Sequence, residues 1–217
     1  MQAVGVLLAG TLLPLTATTI SVDLGGSSCG LAGTCTSEPG ATTITFDGLS
    51  SGTGSPYVSG IAMYTWSGTI APFVQGSSPG NWATPAGDST PYLTVGSPGM
   101  PGTVTIDFSA PIYYFGFYMG SPDPYNQISF YGGPGQTLIQ SFAGNDLINP
   151  GNGNQSVADF VNFHISGGSV SRIVMSSASP AFETDSPAYA AVPEPGTWIL
   201  FGVGLGLVVA ARAKFKR

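Results

Sequence analysis

Charge is what this sequence lacks most. Only 7% of its residues are charged, against about a quarter in an ordinary globular chain. Lysine occurs only at Lys214 and Lys216, and glutamate only at Glu38, Glu183 and Glu194. Helices with a solvated face draw on those residues, so the scarcity argues against a helical body. Basic residues are nearly confined to the end, at Arg212, Lys214, Lys216 and Arg217; Arg172 is the one before them, against eleven carboxylates in the chain. With no basic patch there is no electrostatic footprint for nucleic acid, and that partner class is excluded. Histidine occurs once, at His164, and cysteine twice, at Cys29 and Cys35. Two cysteines with five residues between them, and no second Cys or His pair, do not make a zinc pattern. In an exported protein they read as a local disulfide, the alternative being two free thiols.

Glycine and proline are abundant, at 32 and 18 residues, yet 42% of the chain is hydrophobic and it holds 12 Phe and 9 Tyr. That is too apolar for a disordered Gly/Ser/Pro chain. Short apolar or alternating runs recur between turn-forming clusters, at residues 42–47, 61–66, 92–95, 103–108, 112–119, 127–131, 137–142, 157–165, 170–176 and 181–189. In residues 103–108, Val104, Ile106 and Phe108 share one face. Short strands of even spacing predict an all-β, jelly-roll-like β-sandwich, and at 217 residues one such domain suffices.

Both ends carry export signals. Ala3 to Leu15 is an apolar run of signal-peptide length, too short for a comfortable membrane span. No basic residue precedes it, so the amino terminus supplies the charge or the start lies upstream; the competing reading is a buried first strand. Thr197 to Ala211 is uncharged and strongly apolar. As a helix it is about 22 Å long, and Trp198 with the basic tail extends its reach across the bilayer. The basic cluster Arg212, Lys214, Lys216 and Arg217 is a cytoplasmic stop, which places the preceding body outside the inner membrane.

Directly before that helix stands Val192-Pro193-Glu194-Pro195. The two prolines hold the segment extended, a shape suited to a protease cleft. The order of Pro-Glu-Pro, short apolar helix and basic cluster resembles the PEP-CTERM sorting domain of bacterial surface proteins. The resemblance implies an exosortase-type processing enzyme as partner, transient residence in the inner membrane, and a final place at the cell surface or in an exopolysaccharide matrix. The stretch Tyr114 to Tyr131 and the closing Phe182-Glu183-Thr184-Asp185 also resemble strands of some proteins of this kind. The expected organisation is a signal peptide over 1–20, a β-sandwich ectodomain over 21–191 and a sorting signal with a single transmembrane helix over 192–217.

Chemistry is sparse. Gly48-Leu49-Ser50-Ser51-Gly52 matches the G-x-S-x-G elbow, but a Ser/Gly/Pro-rich loop follows where a helix is required, and His164 is the one available base. Glu183 and Asp185 are two apart, so a strand would put them on one face. Such a pair suits glycosidase chemistry, a cation, or plain solvation; solvation is the default reading. A structural calcium would draw on Asp47, which ends the first body strand, and Asp185 in the last, since first and last strands of such folds are often neighbours. No cofactor is required, and no enzyme is expected. The expected role is structural or adhesive. The runner-up is a carbohydrate-binding module with Trp66, Trp82 and the aromatics from Tyr113 to Tyr118 as sugar platforms.

Overall fold

The computed structural model describes residues 17–193. The apolar run at Ala3–Leu15, and Glu194, Pro195, the expected transmembrane helix and the basic cluster, lie outside the described residues. The described chain is all-β. Its strands in order are β1 (Thr19–Leu24), β2 (Ser27–Ser28), β3 (Thr34–Cys35), β4 (Thr42–Thr43), β5 (Tyr57–Ser59), β6 (Ala62–Ser67), β7 (Phe73–Val74), β8 (Tyr92–Val95), β9 (Gly102–Gly120), β10 (Asn126–Gly132), β11 (Thr137–Ala143), β12 (Ala158–Ser166), β13 (Val170–Ser177) and β14 (Phe182–Ala191). The single helix among them, α1, is the one turn Gly144–Leu147. No helix among the described residues is long and apolar enough to cross a membrane.

One strand organises the rest. β9 runs unbroken for 19 residues, where the sequence suggested two runs separated at Pro111. Its first half pairs with β6 on one side and β13 on the other. Its second half pairs with β12 and β14. The registers skip Ala110 and Pro111, so the missing proline N–H falls where no ladder bond is asked of it. Two layers follow: β11-β10-β13-β9-β6-β5, and β1-β12-β9-β14-β8-β7 with β4 also on β14. Every pairing is antiparallel.

Aromatic rings join strands that share no hydrogen bonds. Phe130 on β10 lies 4.8 Å from Phe163 on β12, and Phe142 on β11 lies 5.5 Å from the same ring. The layers therefore face each other across a phenylalanine-rich core that also holds Val104, Ile106 and Phe108. The first half of β9 alternates buried and half-exposed residues, as a strand with one wet face does, whereas its second half is buried on both faces. Tyr114, Tyr118, Phe160, Ala188 and Ala190 form a second apolar cluster on the outer face of that layer.

Two loops cover this outer face. The segment holding β2 and β3 is closed by a Cys29–Cys35 disulfide, with Cα atoms 5.7 Å apart. Gly33 within it lies against the Tyr118 ring at φ +71°, where any side chain would both clash and strain the backbone. The second loop joins β7 to β8; Pro85 packs so closely on Gly120 that a Cβ there would come within 2.7 Å of the Pro85 Cα. β1 includes Thr19 and Ile20, which the sequence reading gave to the leader, and Ile20 is buried.

Phe163→Ala should destabilise the protein by about 3–5 kcal/mol, because its ring meets Phe115, Phe117, Phe130 and Phe142 together. Urea unfolding measures this; a loss below about 1 kcal/mol would contradict the two-layer core.

Candidate functional site

The outer face of the second layer carries the unusual chemistry. Glu183 and Asp185 on β14 are 2% and 1% exposed. The default expectation of two solvated carboxylates is thus overturned: the β7–β8 loop closes over them. Glu183 lies opposite Gly120 and Asp185 opposite Tyr118 in the β9 register. The register then slips between Asp185 and Ala188, one extra residue on β14 against β9. This bulge keeps Asp185 and Ala188 on the same outer face although they are three apart. Ser186, inside the bulge, sits at φ 48°, a strained position for serine.

Glu183 is fully engaged. Its Oε1 accepts from the Ala83 N–H at 2.8 Å, and its Oε2 accepts from the Ser121 hydroxyl at 2.7 Å. It forms the floor of a pocket of about 200 Å³ whose rim includes Asn81, Trp82, Asp123, Tyr125 and Gln155. Tyr125 donates to Asp123 Oδ2 at 2.7 Å. Burial raises the Glu183 carboxyl to about 7, with the charge of Asp123 adding a smaller push, and burial raises Asp123 as well.

Two residues further along, Asp185 meets Asp88, a residue the sequence reading did not single out. Thr90 links them: its hydroxyl lies 2.9 Å from Asp88 Oδ1 and 3.3 Å from Asp185 Oδ2. The Thr90 N–H also donates to Asp88 Oδ1 at 2.8 Å, and the Ser186 hydroxyl lies 3.3 Å from Asp185 Oδ2. The other oxygen of each carboxylate, Asp88 Oδ2 and Asp185 Oδ1, is buried without a hydrogen-bond partner. Burial, then the charge of Asp88, raises Asp185 to about 7; burial raises Asp88 too. No spacing rule joins Asp88 to Asp185 across nearly a hundred residues, so the sequence held no signal for the pair.

Other expected site residues fall as follows. Asp47 is exposed, and its charge reaches Asp88 and adds to that group's upward push. β4, just before Asp47, does pair with β14. Trp82 is on the pocket rim, whereas Trp66 packs edge-on against Phe73 at 5.7 Å as part of the core. Of the aromatics from Tyr113 to Tyr118, Tyr114, Phe115, Phe117 and Tyr118 are buried, which corrects their reading as sugar platforms, and Tyr113 is half-buried. His164 Nε2 is 2.9 Å from Asp23 Oδ2. Ser50 sits in a turn closed by Thr53, and no helix follows it, so the elbow geometry is missing. Val192 continues from β14 and donates its N–H to Pro111 O. The sorting motif thus leaves the body directly from the last strand.

The whole sorting region from there matches the PEP-CTERM protein-sorting motif, over residues 191–217. The chain is a PEP-CTERM sorting domain-containing protein. The motif marks an exosortase-targeted surface protein, exported and membrane-anchored before processing. No curated protein matches the chain.

The raised carboxyls have a sign that can be checked. Glu183 goes from 4.5 to about 7 on folding, so in that window the folded protein holds a proton that the unfolded chain releases. Stability is then greatest below about 4.5 and falls as pH rises toward about 7. Urea midpoints in chelator-treated protein should fall over this range, and Glu183→Gln should flatten part of the slope. Stability that rises over the same range would contradict the burial of this acid.

Proposed function

We propose that this chain is an exported matrix or surface protein, delivered through the inner membrane, processed by an exosortase-type enzyme, and structural or adhesive rather than enzymatic once outside. The observation that carries the reading is the sorting motif matched at residues 191–217. The body supports it. A nearly charge-free all-β domain with a covalently closed loop suits an exterior role, and its acidic balance keeps it off anionic lipid after release. The non-enzymatic part is supported by Glu183, whose two oxygens both accept bonds from inside the protein, from the Ala83 N–H and the Ser121 hydroxyl.

Insertion and cleavage rest on different physics. Insertion follows from the apolar run Thr197–Ala211 and the basic stop. Cleavage follows from recognition of an extended Val192-Pro193-Glu194-Pro195, in which Glu194 is the one charge and a partner for a basic group of the enzyme. Glu194→Ala should therefore leave insertion intact and accumulate a membrane-bound precursor with its tail. Tagging the body and following its size in membrane and released fractions checks this. Normally shortened, released Glu194→Ala protein would contradict the assigned role of the motif.

A second reading is favoured by one observation, the indole of Trp82 beside Asn81, Asp123 and Gln155 at the pocket rim. An aromatic platform ringed by polar side chains suits a sugar, and exopolysaccharide is the partner class this implies. On a glycan array Trp82→Ala should weaken binding about tenfold or more. Trp66→Phe should not, because Trp66 belongs to the core. Equal binding by wild type and Trp82→Ala would remove the pocket from consideration.

A further inference from the structure

Two buried carboxylates side by side need an opposite charge, and the described body has none to spare. Its one arginine, Arg172, is committed to Asp107 through two bonds, at 2.7 and 3.1 Å. Its one histidine lies against Asp23. Asp88 and Asp185 are 9% and 1% exposed, and the groups that reach them are hydroxyls and backbone N–H groups. The Thr90 hydroxyl has one proton for two acceptors, Asp88 Oδ1 and Asp185 Oδ2. It ties the carboxylates together without neutralising either. Asp88 Oδ2 and Asp185 Oδ1 are left buried and unpartnered, a desolvation penalty that nothing among the described residues offsets.

We propose that Asp88 and Asp185, bridged by Thr90, are the protein core of a binding site for a hard divalent cation, calcium by preference. The donors are all oxygen, which selects calcium or magnesium over zinc or copper. No third His, Cys, Asp or Glu joins them among the described residues. The remaining ligands are then hydroxyl, backbone carbonyl and water oxygens, an irregular set that calcium accepts and octahedral magnesium resists. With two carboxylates the affinity belongs to the weak, extracellular class, which agrees with an exported protein. Asp47, exposed nearby, adds negative potential at the approach without entering the buried set.

The surroundings are built to hold such a site. Asp88 is bridged to Ala32 of the disulfide-closed loop, and the Ser89 N–H donates to Leu31 O at 2.8 Å. The Tyr118 hydroxyl donates to Ala86 O. Asp185 reaches this loop through the Thr90 hydroxyl, and the β-bulge at Ser186 follows it directly on β14. An occupied site would tie three separate segments together: the disulfide loop, the β7–β8 loop and β14. The inference stands independently of the sorting and glycan readings.

The test uses purified full-length protein stripped with EDTA, then titrated with calcium chloride, magnesium chloride or sodium chloride at matched ionic strength. Calcium at a hundredfold excess over its Kd should raise the melting temperature by about 5 °C or more. Magnesium should give a smaller rise and sodium none. Asp88→Asn and Asp185→Asn keep the side-chain shape and remove the charge. Each should melt in EDTA at or above the wild-type temperature, since an uncompensated buried charge is gone, and each should lose the calcium response. Isothermal titration with calcium gives a second reading that does not depend on unfolding. A wild type that responds to calcium no more than to sodium would overturn the proposal. So would either Asn variant that keeps the full calcium shift. A pair held together by a shared proton instead would show a pH-dependent melt indifferent to calcium, which also overturns it.

Discussion

Everything in this domain hangs on β9 being one strand and not two. Because it is hydrogen-bonded on both sides along both halves, neither layer can form without fixing half of the other. The core phenylalanines then have no choice of partner. Ile106 and Phe108 face the core from the first half and Phe115 and Phe117 from the second, the change from even to odd positions falling at the register shifts around Ile112, and Phe130, Phe142 and Phe163 close around them. The half of β9 that is apolar on both faces needs a roof. That need is what brings the disulfide loop and the β7–β8 loop down onto Tyr114 and Tyr118.

The roof has a chemical consequence. Covering the outer face of β14 buries Glu183 and Asp185 along with the tyrosines. Glu183 finds a backbone N–H and a hydroxyl. Asp185 finds chiefly another acid, across a single threonine. In a chain with one arginine before its tail, such a pair cannot be offset by an ion pair. A proton or a cation from outside must supply the missing charge. The pocket above Glu183 and the acid pair beneath the disulfide loop are therefore neighbours on one strand, one open to solvent and one closed.

Much of the fold was legible in the sequence. The alternation in Val104, Ile106 and Phe108, and the turn clusters between runs, place most of the strands within a residue or two of where they lie. Tyr92–Val95 matches at both ends. Strands without such a pattern were not legible: β1, β5 and β7 are short or sit in polar surroundings, and β9 crosses a proline that reads as a break. The run 42–47 contributes only Thr42–Thr43 as paired strand, while Ile44 and Phe46 still reach the core. The sorting motif was legible because its three parts are contiguous and ordered. The acid pair was not, because Asp88 comes to Asp185 only through the loop that covers β14. Burial likewise decides the aromatics: of those from Tyr113 to Tyr118 that read as platforms, Tyr114, Phe115, Phe117 and Tyr118 are buried in three dimensions and Tyr113 is half-buried.

The central claim is that this domain leaves the membrane by losing its tail. Intact-mass measurement of the protein recovered from outside the cell tests it most directly. The account predicts a carboxyl terminus upstream of the apolar run Thr197–Ala211, with no peptide reaching Arg212, Lys214, Lys216 or Arg217. Exterior protein whose mass includes the whole chain through Arg217 would contradict it.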